Sequence, residues 1–168
     1  MATKITSTDS YSSDPATVFA MVTDEKFLLA KYDAVGMTNS KVVESTPLPD
    51  GGHRVKTERD VATEGVPDFV KKLVGERTTI VETDEWGPAA ADGSRSGTWK
   101  AEAKTAPLTM KGTFALTATG SGSQVVISGE VKASVPLIGG KVEKAVAEAT
   151  EKALAEEAAF GEEWLSSH

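Results

Sequence analysis

Apolar and polar positions along the chain change period more than once, and each change marks an element. Residues 3–11 alternate loosely and are rich in Thr and Ser, as expected of a strand. Ser13-Asp14-Pro15 then reads as a helix start. Asp14 can cap the free N–H groups there, and Pro15 at the first helical position gives up no needed donor. Val18, Phe19 and Val22 supply that helix with an apolar side, and Asp24 caps a second short helix carrying Phe27, Leu28 and Tyr32. From residue 37 the period becomes two. Strands are expected over 37–45, 53–62, 76–86, 95–105, 109–119 and 123–135. Pro49-Asp50-Gly51-Gly52, Ala91-Asp92-Gly93-Ser94 and Thr119-Gly120-Ser121-Gly122-Ser123 supply turns between neighbours. Connections this short make the strands they join antiparallel. One segment interrupts the series: Val66 to Gly75 reads as one or two helical turns capped near Asp68 and ended by Gly75. Its Phe69, Val70, Leu73 and Val74 are too apolar for a solvated loop, so it either plugs a sheet edge or acts as a lid over a cavity mouth.

The last strands alternate cleanly. Met110, Gly112, Phe114, Leu116 and Ala118 share one face, as do Val125, Ile127, Gly129, Val131, Ala133 and Val135, with polar residues behind them. A one-sided sheet needs a cover, and residues 140–165 provide it. Ala, Glu and Lys dominate this stretch and no proline interrupts it, so it forms a helix about 39 Å long. Wound at a helical period, Val142, Val146, Ala149, Ala153, Phe160 and Trp164 form one stripe, with Ala145 at its edge. The stripe is smallest in the middle, at Ala149 and Ala153. Gly112, Gly129 and Ala133 thin the facing strands as well. The expected result is a gap between helix and sheet, unless the small residues simply let the two approach closely.

Composition narrows the chemistry. Of 168 residues, 39% are hydrophobic and 26% charged, which is globular rather than disordered. The length suits one domain, taken as residues 1–168, and neither a repeat nor a long linker divides it. A net charge of −7 argues against nucleic acid as a partner, since phosphate binding needs clustered Lys and Arg. The start of the chain, Met1-Ala2-Thr3-Lys4-Ile5-Thr6, is polar at once, and no apolar run approaches the ~18 residues needed to span a bilayer. Cytoplasmic residence without membrane insertion is the expectation. With no cysteine, disulfides, thiolate metal sites and thiol nucleophiles are excluded. Only His53 and His168 carry imidazoles. No phosphate-binding loop, dinucleotide fingerprint, zinc spacing or EF-hand arrangement occurs, so no metal or nucleotide cofactor is expected.

The element order is now strand, two short helices, six strands and a long C-terminal helix. That order resembles the helix-grip fold of START-like proteins, the superfamily of polyketide cyclases, plant pathogenesis-related proteins and lipid-transfer domains. Tyr11-Ser12-Ser13-Asp14-Pro15-Ala16-Thr17-Val18-Phe19 is similar to the strand-into-helix start of that superfamily, and Asp24 follows as it does there. Val131 to Glu143, with its Val135-Pro136-Leu137-Ile138-Gly139-Gly140, resembles an uncharacterised actinobacterial branch. The resemblance implies an α+β fold, with a curved antiparallel sheet of about seven strands wrapped around the C-terminal helix. It also implies a cavity between the two that takes lipids, sterols, polyketides or other hydrophobic molecules. It carries over no catalytic set.

Candidate site residues follow from that picture. His53 and Arg59 share parity with Val55, Thr57 and Val61, so on an inward face they become polar groups in an apolar cavity. Trp99, Met110 and Phe114 lie on strand faces that can line it, Phe69 and Leu73 on the apolar segment, and Val142, Ala149 and Ala153 on the helix stripe. Glu156 sits beside that stripe and either meets a polar group of a ligand or reaches water. The leading reading is a binding protein for a small hydrophobic molecule, a monomer or weak homodimer. A cyclase- or hydrolase-like enzyme on an aromatic or polyketide substrate is the alternative, with His53, Arg59 and Glu156 as its polar groups. The other alternative is an interaction module, in which a second stripe at Ala147, Leu154, Ala158 and Leu165 packs on the short helices or on a second chain.

Overall fold

A computed structural model describes residues 2–168; Met1 lies outside the described residues. Strand β1 (Thr3–Tyr11) runs into helices α1 (Pro15–Val22) and α2 (Glu25–Ala34). Then come β2 (Thr38–Pro47), β3 (His53–Ala62), α3 (Asp68–Val74), β4 (Arg77–Trp86) and β5 (Arg95–Ala103). Strands β6 (Leu108–Thr119) and β7 (Gly122–Ala133) lead to α4 (Gly139–Ser167). The seven strands form one antiparallel sheet in the order β1-β7-β6-β5-β4-β3-β2. Strands β2 to β7 are a meander, and β1 joins its far edge by pairing Thr3 with Val131 through to Tyr11 with Ser123. Among the described residues no helix is long and apolar enough to cross a membrane.

Local chemistry sets the helix starts. The Asp14 carboxylate accepts from the Thr17 N–H at 3.0 Å, and Asp24 accepts from Lys26 N–H at 3.1 Å. Helix α3 starts near Asp68, as expected: Pro67 holds the N-cap position and Asp68 lies in the first turn, near the positive end of the helix. Gly75 ends α3 at φ 84°, which favours glycine.

Strand alternation then decides which residues turn inward. Val55, Thr57 and Arg59 of β3, Ile80 and Trp86 of β4, Trp99 and Ala101 of β5, and Val125, Ile127 and Val131 of β7 are all buried. Gly112 and Gly129 stand directly opposite one another on β6 and β7. Rather than thinning the wall there, Gly129 makes a bed for an indole. A Cβ on it would come within 2.5 Å of Cζ2 of Trp99.

Helix α4 lies chiefly against β1 and β7, with α2 and α3 at its flanks. Its buried residues are Val142, Glu143, Ala147 and Gly161, so the helix is turned relative to the expected stripe. Small residues explain the turn. Ala147 and Gly161 let the helix press on the β1 side, where a Cβ at position 161 would lie 3.0 Å from Cε1 of Tyr11 and 3.3 Å from Cε of Met21. Three glutamates tie the same face down. Glu143 accepts from Thr3 Oγ1 at 3.2 Å and from Ala133 N–H at 3.0 Å. Glu151 accepts from Thr6 N–H at 3.2 Å and Glu162 from Ser12 N–H at 3.1 Å. On the outer edge of β1 the helix thereby occupies one backbone donor, Thr6 N–H, and just past the strand a second, Ser12 N–H. Phe160 and Trp164 pack on Phe27 of α2, with ring centroids 5.9 and 5.5 Å away. The stripe of Val146, Ala149 and Ala153 faces neither contact. It borders open space.

Candidate functional site: the cavity beneath the C-terminal helix

That space is a cavity of about 660 Å³, enclosed by the inner face of the sheet, α4, α2 and the α3 segment. Its sheet wall is mostly apolar and aromatic: Ile80, Trp86, Trp99, Leu108, Met110, Phe114, Val125 and Ile127. Trp86 stacks on Phe114 with centroids 4.8 Å apart, and Trp99 lies 6.5 Å from the same ring. The helix wall is small, with Val146, Ala149, Ala153 and Leu154. Val66, Pro67, Val70 and Val74 supply a further wall from the α3 segment.

One part of the lining is charged. Arg59 of β3 and Glu82 of β4 form an ion pair at 2.8 Å, with only 10% and 19% of their side chains accessible. Above Arg59 sits the ring of Tyr32, 4.5 Å from the guanidinium carbon. Arg59 Nη1 also donates to the Tyr32 hydroxyl and to Thr57 Oγ1, both at 3.4 Å. Lys31 of α2 pairs with Glu157 of α4 at 3.0 Å across the cavity's helical side. Burial by itself pulls the Lys31 ammonium down, but Glu157 beside it more than compensates, and its pKa stands above the ordinary lysine value.

Asp84 is the unusual member. It follows Glu82 by two positions on β4, so both carboxyls point to the same face and lie within hydrogen-bonding reach of one another. Burial, and then the neighbouring Glu82 charge, push the Asp84 carboxyl well above the usual carboxylate range. Burial also acts to raise Glu82, but Arg59 and the hydrogen bond from Asp84 outweigh it and hold Glu82 below its ordinary value. On β1, Asp9 is raised by burial, and so is the Tyr11 phenol. Four buried polar atoms of the lining have no protein partner: Arg59 Nε, Thr78 Oγ1, Asp84 Oδ1 and Trp99 Nε1. Among the described residues, no group of three or more His, Asp or Glu side chains could hold a metal ion.

Residues 6–165 match the family described as "Protein of unknown function (DUF2505)". The chain belongs to this family. A comparison with curated proteins finds no match. Solved structures are similar over almost the whole chain. TTHA0849 of Thermus thermophilus is 16% identical with a TM-score of 0.67, covering 96% of this chain and 95% of its own. A START superfamily protein of Mycobacterium smegmatis is 14% identical with a TM-score of 0.59, covering 96% and 98%. Ara h 8.0201 is 12% identical with a TM-score of 0.60, covering both chains completely. This family member therefore has the START-like fold, in the helix-grip arrangement, and at such low identity the likeness speaks for the fold alone.

Of the residues singled out in the sequence, Arg59, Trp99, Met110, Phe114, Ala149, Ala153 and Glu156 come together around the cavity. Glu156 is exposed. His53, Phe69, Leu73 and Val142 stand outside the lining, each for a local reason. His53 is at the very start of β3, where its Nε2 meets Ser45 Oγ at 2.8 Å, and partial burial lowers its pKa. Helix α3 turns Val70 and Val74 toward the cavity, which leaves Phe69 and Leu73 on another flank against the core. Val142 is fully buried in the first turn of α4. Sequence reasoning missed Glu82, Asp84, Asp9, Lys31 and Glu157. The first two were within reach, because they share strand parity with Ile80 and Trp86. Lys31 and Glu157 were not, since only the turn and crossing of α2 and α4 bring them together.

Proposed function

We propose that this chain is a binding protein for a small, largely apolar molecule held between the sheet and α4. The observation that carries this reading is the cavity of about 660 Å³, with its aromatic sheet wall and alanine-faced helix. Volumes of this size match small-molecule sites, which are concave, mostly apolar and furnished with a few polar groups. The side chains of α4 do not fill the space: Ala149 and Ala153 face it, while the aromatic residues Phe160 and Trp164 sit where the helix meets α2. The START-like fold of the relatives supports the same reading. The second stripe of α4 offers less to a partner protein: Ala147 is buried, and Leu154 and Ala158 border the cavity.

Native mass spectrometry of the protein purified gently from its host tests this directly. A bound species of a few hundred daltons is expected, released on denaturation. Trp86 and Trp99 line the cavity, so an apolar fluorophore such as 2-methylnaphthalene should also quench tryptophan emission and saturate. If no molecule copurifies and no such probe saturates, the reading is wrong.

A further inference from the structure

We propose that the cavity selects a neutral ligand: Asp84 and Glu82, sharing one proton and braced by Arg59, bind an uncharged hydroxyl or carbonyl oxygen of the apolar guest together with Trp99. This rests on the binding reading above and adds the class of ligand.

The argument starts from strand geometry. Glu82 and Asp84 alternate onto the inner face of β4, and Asp84 pairs directly with Trp99 across the ladder to β5. Glu82 is already satisfied by Arg59 Nη2 at 2.8 Å. Asp84 has no such cation. Two carboxylates this close in a poorly solvated wall cannot both ionise, so the pair retains a proton, as paired acids in enclosed sites do. The groups acting on it are Arg59 on β3 and Lys31 and Tyr32 on α2, while Asp9 and Tyr11 on β1 and Glu157 on α4 gather around Lys31 in the same lining. Arg59 and Lys31 are the cations among them, and each is spent on its own carboxylate, Glu82 and Glu157. Lys152 borders the cavity only from an exposed position on α4, where water screens it. Among the described residues, no buried positive charge is left over for an anionic guest.

Unmet hydrogen-bonding capacity lies beside the pair. Trp99 is buried, at 7% exposure, and its indole N–H has no acceptor in the protein. A buried donor without a partner costs free energy until something accepts from it. Trp99 and the protonated Asp84 side by side offer a donor together with a group that can donate or accept. A hydroxyl or carbonyl oxygen satisfies that combination without bringing charge. A carboxylate would set a third negative group against Glu82 and Asp84.

The test uses three probes of one shape: 2-naphthol, 2-methylnaphthalene and 2-naphthoate, titrated into the intact protein at neutral pH. 2-Naphthol should bind about tenfold tighter than 2-methylnaphthalene, the ratio expected of one well-made hydrogen bond to such a group, with 2-naphthoate weakest. Trp99→Phe removes the N–H together with the five-membered ring that carries it, a loss of volume felt equally by both probes, and Asp84→Leu removes the acid; both variants should bring the first two probes close to parity. Should Asp84→Leu not fold, Trp99→Phe decides. Infrared spectra of the unliganded protein should show a protonated carboxylic acid at neutral pH that is missing in Asp84→Asn. Equal binding of 2-naphthol and 2-methylnaphthalene, a preference for 2-naphthoate, or the absence of that band would overturn the proposal while leaving the cavity reading standing. If none of the three binds and no molecule copurifies with the protein, both fall.

Discussion

At the scale of single residues, the decisive feature is a charge arrangement that burial has altered. Asp84 takes up its proton because β4 aims it at a wall where Glu82 already carries the charge and Arg59 is already engaged. A consequence for stability follows from its sign. The folded-state pKa of Asp84 is raised, so above the ordinary carboxylate range the native protein holds a proton that the unfolded chain has released. Stability from this group therefore falls as pH rises toward its folded value. Glu82, lowered, acts the other way and loses its contribution only as the pH drops through its own depressed value. Asp84→Asn keeps a donor toward Glu82 but has no proton to lose. Between about pH 5 and pH 8, Tm of the wild type should decline relative to that of Asp84→Asn, measured by differential scanning calorimetry. Asp9 is raised as well, but it is common to both proteins and cancels. A constant difference across the range would mean that the pair carries no such proton.

Among elements, the placement of α4 determines whether a cavity exists. Two devices hold the helix to the β1 side: the glutamates at 143, 151 and 162, which accept from β1 and its flanks, and the small residues Ala147 and Gly161. Glycine within a helix costs about 1 kcal/mol relative to alanine, so Gly161 is explained by closeness rather than by propensity. Gly161→Leu should force the helix off Tyr11 and Met21 and destabilise the protein by about 1–3 kcal/mol, read from the urea midpoint at unchanged slope. A neutral outcome would show that the contact is looser than described. The elements themselves were almost fully legible in the sequence. Period-two alternation, the Asp14-Pro15 start and the Gly-rich turns are local signals, and local signals survive without tertiary context. The start of α3 near Asp68 and its end at Gly75 were legible in the same way, since Pro67, Asp68 and Gly75 are all local signals.

For the whole molecule, the cavity's volume is the property to test. Ala153 faces it from the middle of α4. Ala153→Trp places an indole in the empty space without disturbing the β1 contact, so probe affinity should fall by about tenfold or more while Tm changes little. Retained affinity would place the bound molecule elsewhere. On this scale the sequence by itself determined a great deal: the seven strands, the antiparallel meander, the long helix and the small face at Ala149 and Ala153 all follow from periodicity and turn chemistry. Parity also grouped Arg59 with Val55 and Thr57, and Met110 with Phe114, on single faces, and the structure turns those faces and Trp99 inward. What only the tertiary structure decided is which way α4 turns and which charges then meet. A helix stripe fixes a face only within a residue or so, and here the face that carries Ala147 and Gly161 is the buried one, with Gly161 close against Tyr11 and Met21. That rotation opened the space beside the alanines, brought Glu157 to Lys31, and left Glu82 and Asp84 facing a cavity instead of water. Local pattern determines elements; the sharing of one proton between two carboxyls depends on what the rest of the chain has removed from solvent.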